Sequence, residues 1–580
     1  MCGIVGITSE QEFDVTERLL SALKRLEYRG YDSSGFATSG GGLEKEVGEI
    51  SALLPKGKDV KAKAAIAHTR WATHGGVTKT NAHPHANAEG TIFAVHNGII
   101  ENHKAMRKRL ESEGCVFKSQ TDSEVVPHFF DRCLASGMDM KSAIQAFIKE
   151  AEGTFAILLV RKGDDRIYTL KRDSPLVLGV GEGIMMLGSD VYAFSHVTDK
   201  AVFFSDDEYA IIGPDSYAFF DASGEAVEKE PQVFEWAQDE ETKGDFPHFM
   251  IKEVHEQPTA SRRLIQSLST LQKDKLERLA SMAKEARRVV FVASGTSYHA
   301  SLIGVYLLSR LGIEAHTVIA SEFENFQLVD KDTLVVAVSQ SGETMDVVTV
   351  LKDTKKKGCK MASVVNVPFS TIQRLCDLSI ETLAGQEICV AATKTFTNQI
   401  ITMLALAKTL GYDVYLDGIP DKIKATIEGQ EKKVMELSTS LKDKRDIFVL
   451  GRGMSYPIAR EIALKLKEIS YIHAEGMMGG ELKHGTIALI EEGTPVISLI
   501  PNHNADMASN TQEVAARGAR TLVISNVDDM GADFVVPESD EAEFSIYACI
   551  IGHLLSYYIA KENGLPIDKP RNLAKSVTVK

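Results

Sequence analysis

The chain has 580 residues, 44% hydrophobic and 25% charged, with a net charge of −15. At about 150 residues per domain this length exceeds one core and predicts three or four units. The acidic balance excludes nucleic acid as the main partner, since phosphate backbones need a basic face, but it leaves room for small phosphorylated ligands held by local loops. Seven cysteines (2, 115, 133, 359, 376, 389, 549) form no CxxC pair and fit thiols in a reducing compartment. No basic segment followed by an apolar run opens the chain, and no stretch approaches the ~20 apolar residues that span a bilayer. The expectation is a cytoplasmic protein with no membrane partner.

The chain opens Met1-Cys2-Gly3-Ile4-Val5-Gly6-Ile7. Removal of Met1 would put a thiol and a free α-amine on Cys2, and such an amine, with a pKa of ~7.7–8.0, can act as the base that makes a thiolate nucleophile. Apolar residues at helical spacing predict a helix around Val15–Leu26. Thr91–Val95 and Thr154–Val160 read as strands. Before and between these strands lie polar residues suited to a Cys nucleophile attacking an amide. Arg70, in His68-Thr69-Arg70-Trp71-Ala72-Thr73-His74-Gly75, has the fork that holds a carboxylate. Asn97-Gly98 offers an amide and a backbone N–H to a developing oxyanion, or else a hairpin turn. Asp122 would accept from an ammonium, or cap a helix. Six of the sixteen histidines fall between positions 68 and 103 (68, 74, 83, 85, 96, 103). His83-Pro84-His85 lacks Cys or carboxylates at ligand spacing, so no metal is expected, and no cofactor.

Ala237–Asp245 is polar, charged and without periodicity, and reads as a linker. Beyond it, buried apolar strands alternate with long helices, the pattern of parallel α/β sheets. This part repeats. Val289–Val292 leads into Gly295-Thr296-Ser297-Tyr298, and Ile447–Leu450 leads into Gly453-Met454-Ser455-Tyr456, 158 residues later (453 − 295). Ser363-Val364-Val365-Asn366-Val367 is echoed by Ile524-Ser525-Asn526-Val527 at a displacement of 160 (526 − 366). Agreement of the two offsets predicts tandem copies of one domain. Ser339-Gln340-Ser341-Gly342-Glu343-Thr344, after the strand Leu334–Val338, combines three hydroxyls with a helix N-terminus and forms a candidate anion site that Ser297 would help close. A helix over Ala459–Ile472 places Glu461, Lys465 and Glu468 on one face. With His484 in Gly479-Gly480-Glu481-Leu482-Lys483-His484-Gly485, these groups suit proton transfer beside a carbonyl. The tail Asp568–Lys580 mixes apolar and β-branched residues and is expected to dock.

Taken in order, Cys2-Gly3-Ile4-Val5-Gly6, Glu27-Tyr28-Arg29-Gly30-Tyr31-Asp32-Ser33, His68–His85, Asn97-Gly98 and Thr121-Asp122 resemble the class II glutamine amidotransferases, the N-terminal-nucleophile glutaminases. The resemblance implies Cys2 as nucleophile with its own amine as base, and Asn97 and Gly98 as the oxyanion hole. It also implies Arg70 on the glutamine carboxylate, Asp122 on its ammonium, and Arg29, Trp71, Thr73 and His74 around the glutamine, with Trp71 gating ammonia. The later segments resemble the tandem sugar-isomerase (SIS) domains of the isomerizing glutamine–fructose-6-phosphate aminotransferases, and the two resemblances together span nearly the whole chain. They imply an α/β multidomain protein: an αββα Ntn-hydrolase sandwich (1–236), a linker (237–246), two doubly wound parallel-sheet SIS domains (247–415 and 416–560), and a tail (561–580) completing the isomerase site.

By the same resemblance Ser339, Gln340, Ser341 and Thr344 bind the sugar phosphate, and Ser297, Val390 and Ala391 line the pocket. Lys575 forms a Schiff base with the ketose, His484 assists ring opening, and Glu468 moves the proton between C1 and C2, supported by Glu461 and Lys465. The substrates implied are L-glutamine and fructose 6-phosphate, in a homodimer whose subunits share His484. Three departures stand out. Thr486 replaces a usual Pro, the last residue is Lys580 where Glu is usual, and the chain is slightly short. Two other readings stay open: a glucosamine-6-phosphate deaminase/isomerase with a vestigial first domain, and a non-catalytic sugar-phosphate sensor, for which no basic DNA-binding segment is visible.

Overall fold

The structure, a computed structural model, describes residues 2–72, 75–233, 242–326 and 329–577. Thr73, His74, residues 237–241 of the expected linker and Lys580 lie outside the described residues. The chain forms two compact units, Met1–Gln238 with Ala574–Lys580, and Asp239–Leu573. The expected tail is therefore divided, its last seven residues belonging to the first unit.

In the first unit, strands Gly3–Asp14, Lys61–Arg70, Ser33–Thr38 and Leu43–Val47 form one side of an eight-stranded sheet. A seven-stranded sheet runs through Ile92–Ile100, Gly153–Arg161 and Ile167–Arg172. Every ladder of this unit is antiparallel. Such sheets usually alternate polar and apolar residues, yet these strands read as continuous apolar runs because both faces are covered. Phe93 and Val95 pack between the sheets with Ile4, Ile66 and Leu158. Ile92 and Ala94 face the other way, onto Phe129, Phe130 and Phe147 of helices Val125–Ala135 and Met140–Glu150. On the eight-stranded sheet the expected helix is a π-helical segment Val15–Leu20 continued by Ser21–Lys24, burying Leu19, Leu20 and Leu23. The layers run helix, sheet, sheet, helix.

The second unit holds two five-stranded sheets, each wholly parallel. Their strand orders match: Ala315–Ile319, Arg288–Ala293, Thr333–Ser339, Lys360–Val365, Leu378–Glu381 in one, and His473–Met478, Asp446–Gly451, Pro495–Ile500, Arg520–Ser525, Phe534–Val535 in the other. The two repeat offsets fall on equivalent strands. Asn366 and Asn526 even do the same work, each bonding the loop that follows its neighbouring strand, at Gly385 O (2.8 Å) and Ser539 O (2.7 Å). In both sheets the first strand lies between the second and third, which makes a topological switch point at the strands' C-terminal ends.

A single apolar core joins the sheets, with Phe291 and Val449 on its walls. At its centre runs the helix Glu541–Glu562, buried at every residue from Ala542 to Ala560. It has 22 residues, and an 18-residue window of it, with a mean hydropathy of 1.2 and every residue buried inside the protein, is long and apolar enough to cross a membrane. The expectation that no such stretch exists is thereby corrected. The helix expected over Ala459–Ile472 also differs: it runs Ser455–Lys465, continues as a π-helical turn Leu466–Ser470, and stops at Tyr471 in the left-handed region (φ 57°).

Candidate active sites

Register puts Cys2 in place. Gly3 pairs with Thr69 across the ladder, so Cys2 lies beside Arg70 and Trp71. The approach is close enough that a Cβ on Gly3 would stand 2.8 Å from Thr69 Cγ2. The Trp71 N–H donates to Cys2 Sγ at 3.2 Å. Burial pushes the thiol above the ordinary cysteine value, while the Trp71 N–H and the Arg70 charge pull the other way. Asn97 Nδ2 donates to the Cys2 carbonyl at 3.0 Å.

Asn97-Gly98 is not a turn. It sits inside the strand Ile92–Ile100, paired with Ala156 and Phe155. Gly98 has φ 127°, and a Cβ there would stand 2.1 Å from Thr154 O, so only glycine fits. Asp122 caps no helix with its side chain; Oδ2 accepts from Ile100 N at 2.9 Å. Arg70 is buried and donates to the carbonyls of Gly76 (3.2 Å) and Gly75 (3.3 Å). Trp71 packs edge-on against Tyr31, centroids 5.6 Å apart. Arg29 pairs with Asp190 at 2.7 Å, both largely buried. The adjacent Ser189 accepts from Ile4 N at 3.3 Å, so that pair braces the strand that begins just after Cys2.

In the second unit, the paired strands Arg288–Ala293 and Thr333–Ser339 end at the same edge of the sheet. Their following loops therefore lie side by side at the switch point, which brings Ser297 and Ser339–Thr344 to one place. Ser339 Oγ meets Thr344 Oγ1 at 3.1 Å and accepts from Gly342 N at 3.0 Å. Ser341 Oγ accepts from Glu343 N at 3.2 Å. Gly342 has φ 66°, and a Cβ would fall 1.9 Å from Ser370 Oγ. Gln340 Oε1 is buried without a hydrogen-bond partner. Ser297 accepts from Gln399 Nε2 at 3.0 Å. Val390 N donates to Asp568 O at 3.1 Å, and the segment before it is held by Glu253, whose Oε1 accepts from Cys389 N at 3.1 Å.

Glu461 and Lys465 form no surface ladder: both side chains are fully buried, 3.3 Å apart. Lys465 Nζ also donates to Glu468 Oε2 at 2.5 Å, and Glu468 is one-fifth exposed. The helix Gly295–Arg310 completes the network: Thr296 Oγ1 donates to Glu461 Oε1 at 3.0 Å, and His299 Nδ1 lies 2.7 Å from Oε2. Burial alone would raise the Glu461 carboxyl, but Lys465 and His299 outweigh it and hold it down to about 2. Burial would lower Lys465, and the two carboxylates instead keep it above the ordinary lysine value. Glu468 thus has a buried cation behind it and is itself one-fifth exposed. His484 is exposed on the short helical turn Gly479–His484, and Thr486 opens the next turn. Lys575 is half-buried in the part of the tail that belongs to the first unit.

Sequence reasoning missed Thr296 and His299. The repeat held the signal: their counterparts 158 residues on are Met454 and Pro457, so the polar residues mark the first copy as the one with the site. The second copy likewise has Ile500-Pro501-Asn502-His503-Asn504 where the first has its hydroxyl loop.

A glutamine amidotransferase domain family matches residues 68–196, and the SIS domain family matches residues 282–409 and 440–532. The glutamine–fructose-6-phosphate aminotransferase (isomerizing) of Thermococcus kodakarensis is 42% identical over all of both chains, and that of Sulfurisphaera tokodaii also 42% over all of both. The chain belongs to the isomerizing glutamine–fructose-6-phosphate aminotransferase family. Among solved structures, the C-terminal domain of the glucosamine-fructose-6-phosphate aminotransferase of Francisella tularensis is similar at 33% identity with a TM-score of 0.51, covering 57% of this chain and 100% of its own. A glucosamine-6-phosphate deaminase from Thermotoga maritima, 22% identical with a TM-score of 0.50 over 57% of this chain and all of its own, shares the fold.

Proposed function

We propose that this family member runs its reaction at two sites, using the residues described above. The chain is a glutamine-dependent aminotransferase that converts D-fructose 6-phosphate and L-glutamine to D-glucosamine 6-phosphate and L-glutamate. Cys2 attacks the glutamine side-chain amide, with its own α-amine as base once Met1 is removed. Asn97 Nδ2 and the Gly98 N–H take the oxyanion, ammonia leaves, and water frees glutamate from the thioester. Arg70 holds the glutamine carboxylate and Asp122 its ammonium, while Arg29, Trp71, Thr73 and His74 surround the substrate. Ammonia at neutral pH is mostly ammonium and a poor nucleophile, so it travels by a dry passage that Trp71 gates.

At the second site Ser339, Gln340, Ser341 and Thr344 hold the phosphate, with Ser297, Val390 and Ala391 lining the pocket. Lys575 forms a Schiff base at C2 of the open-chain ketose, His484 having assisted ring opening. Ammonia displaces Lys575, and Glu468 moves the proton from C1 to C2, backed by Lys465 and Glu461. The protein works in the cytoplasm as a homodimer in which each His484 serves the partner's site. The domains are bounded at 1–236, 247–415 and 416–560, with the tail 561–580 completing the isomerase site.

The observation that carries this reading is the half-buried Cys2, whose thiol accepts from the Trp71 N–H and whose carbonyl accepts from the Asn97 amide. Incubation with fructose 6-phosphate and amide-15N glutamine is expected to give 15N-labelled glucosamine 6-phosphate. Unlabelled product, or deamination alone, overturns it. Cys2→Ala is expected to abolish glutamine-dependent synthesis and to keep synthesis from high ammonia; equal loss with both donors contradicts two sites.

A further inference from the structure

Of the histidines in the rich stretch that have no role so far, His68 stands against the proposed oxyanion hole. His68 lies on the strand Lys61–Arg70 of the eight-stranded sheet, fully buried, and faces Asn97 on the other sheet. Its Nε2 stands 3.1 Å from Asn97 Oδ1 and 3.1 Å from the His96 carbonyl oxygen. Both are acceptors, so Nε2 carries the hydrogen and donates to them. Its Nδ1 is buried without a hydrogen-bond partner, and one ring face lies against His83, centroids 4.2 Å apart. Burial, with Arg70 nearby, pushes the imidazole down to about 3, so it stays neutral at working pH.

An Asn side chain has two near-isosteric orientations, and only one is useful here. With Oδ1 on the His68 N–H, Nδ2 points at Cys2, where it reaches the carbonyl at 3.0 Å. Turned over, the amide would present a lone pair to the oxyanion and repel it. We propose that His68 is the positioning residue of the glutaminase site, its Nε2–H holding the Asn97 amide with Nδ2 toward the reacting carbon. His68 touches no substrate; it acts through Asn97. The inference rests on the glutaminase role proposed above.

The chemistry of the donor supplies the test. A Gln amide nitrogen can occupy the place of His Nε2, whereas an Asn amide nitrogen corresponds to Nδ1. Loss of an oxyanion donor costs about 10²–10³ in kcat, and a donor left free to turn over costs part of that. In the full-length enzyme, His68→Leu and His68→Asn are expected to lower kcat for glutamine hydrolysis by about tenfold to a hundredfold, with KM for glutamine within about twofold. His68→Gln is expected to stay within about threefold of the unaltered enzyme. Synthesis from ammonia is expected unchanged in all three, which separates a positioning loss from misfolding. The proposal is overturned if Leu and Gln variants behave alike, if KM rises while kcat holds, or if ammonia-dependent synthesis falls in parallel. Failure of the unaltered enzyme to release glutamate from glutamine would instead sink the glutaminase reading.

Discussion

Lys465 is a buried cation held three and four residues from two carboxylates on the same helical face. A buried charge is tolerated only while it is paired, and the cost of removing one partner is the uncompensated charge left behind. Lys465→Met leaves Glu461 fully buried with only Thr296 and His299 as donors. It is expected to destabilise the second unit by about 3–5 kcal/mol, read from the urea midpoint of that unit's transition. The double change Glu461→Met with Lys465→Met removes both charges and is expected to recover more than half of that loss, since the two effects share one interaction. A double variant less stable than the single would show that the pair stabilises the fold outright.

At the scale of elements, the helix Phe249–Ser269 starts with no side chain of its own on its free N–H groups; Asp568 takes them, accepting from Phe249 N and Met250 N at 3.0 Å each. Lys243 lies 3.4 Å from the same carboxylate. Asp568→Ala is expected to cost about 1–2 kcal/mol, the worth of an N-cap carboxylate on a helix dipole, as a shift in the second unit's melting temperature. Asp568→Asn should recover most of it. A null effect of Asp568→Ala would mean that solvent caps the helix as well. This contact spans some three hundred residues of chain, and that is why no reading of the sequence found it. What was legible is local or periodic: the apolar strand runs, the duplication, and the hydroxyl loop before a helix. Asn97-Gly98 reads as a hairpin because the signal is local, yet pairing with Ala156 and Phe155 makes it strand interior. Glu461, Lys465 and Glu468 were grouped correctly by spacing, but spacing alone cannot say whether a charged face meets water or a core. The helix Glu541–Glu562 is largely apolar all round because other helices, Ile419–Leu441 and Ser455–Lys465 foremost, pack against it, a surrounding that its own residues do not reveal.

Across the whole molecule, each unit carries a buried neutral histidine and a buried ionised carboxylate, and both set the response to acid. Burial pushes His68 down to about 3 and His553 down to about 4. Unfolded, each binds a proton near the ordinary value of ~6.5. Below that pH the unfolded chain gains protons that the folded one refuses, so stability falls by about 1.4 kcal/mol per pH unit for each histidine. Burial would raise Glu124 and Glu461, but His128 and Ser119 outweigh it at the first, and Lys465 and His299 at the second, holding both down to about 2. Their contribution is present above the unfolded value of ~4.3 and is lost as pH falls toward 2. All four groups therefore act in one direction, and melting temperature is expected to fall steadily from pH 7 to pH 5 with the histidines alone responsible in that range. His553→Gln removes one titrating group from the second unit and should flatten that unit's slope by about one proton. A melting temperature level between pH 7 and 5 in the unaltered protein, or an unchanged slope in the variant, would show that these imidazoles accept their protons without leaving the fold.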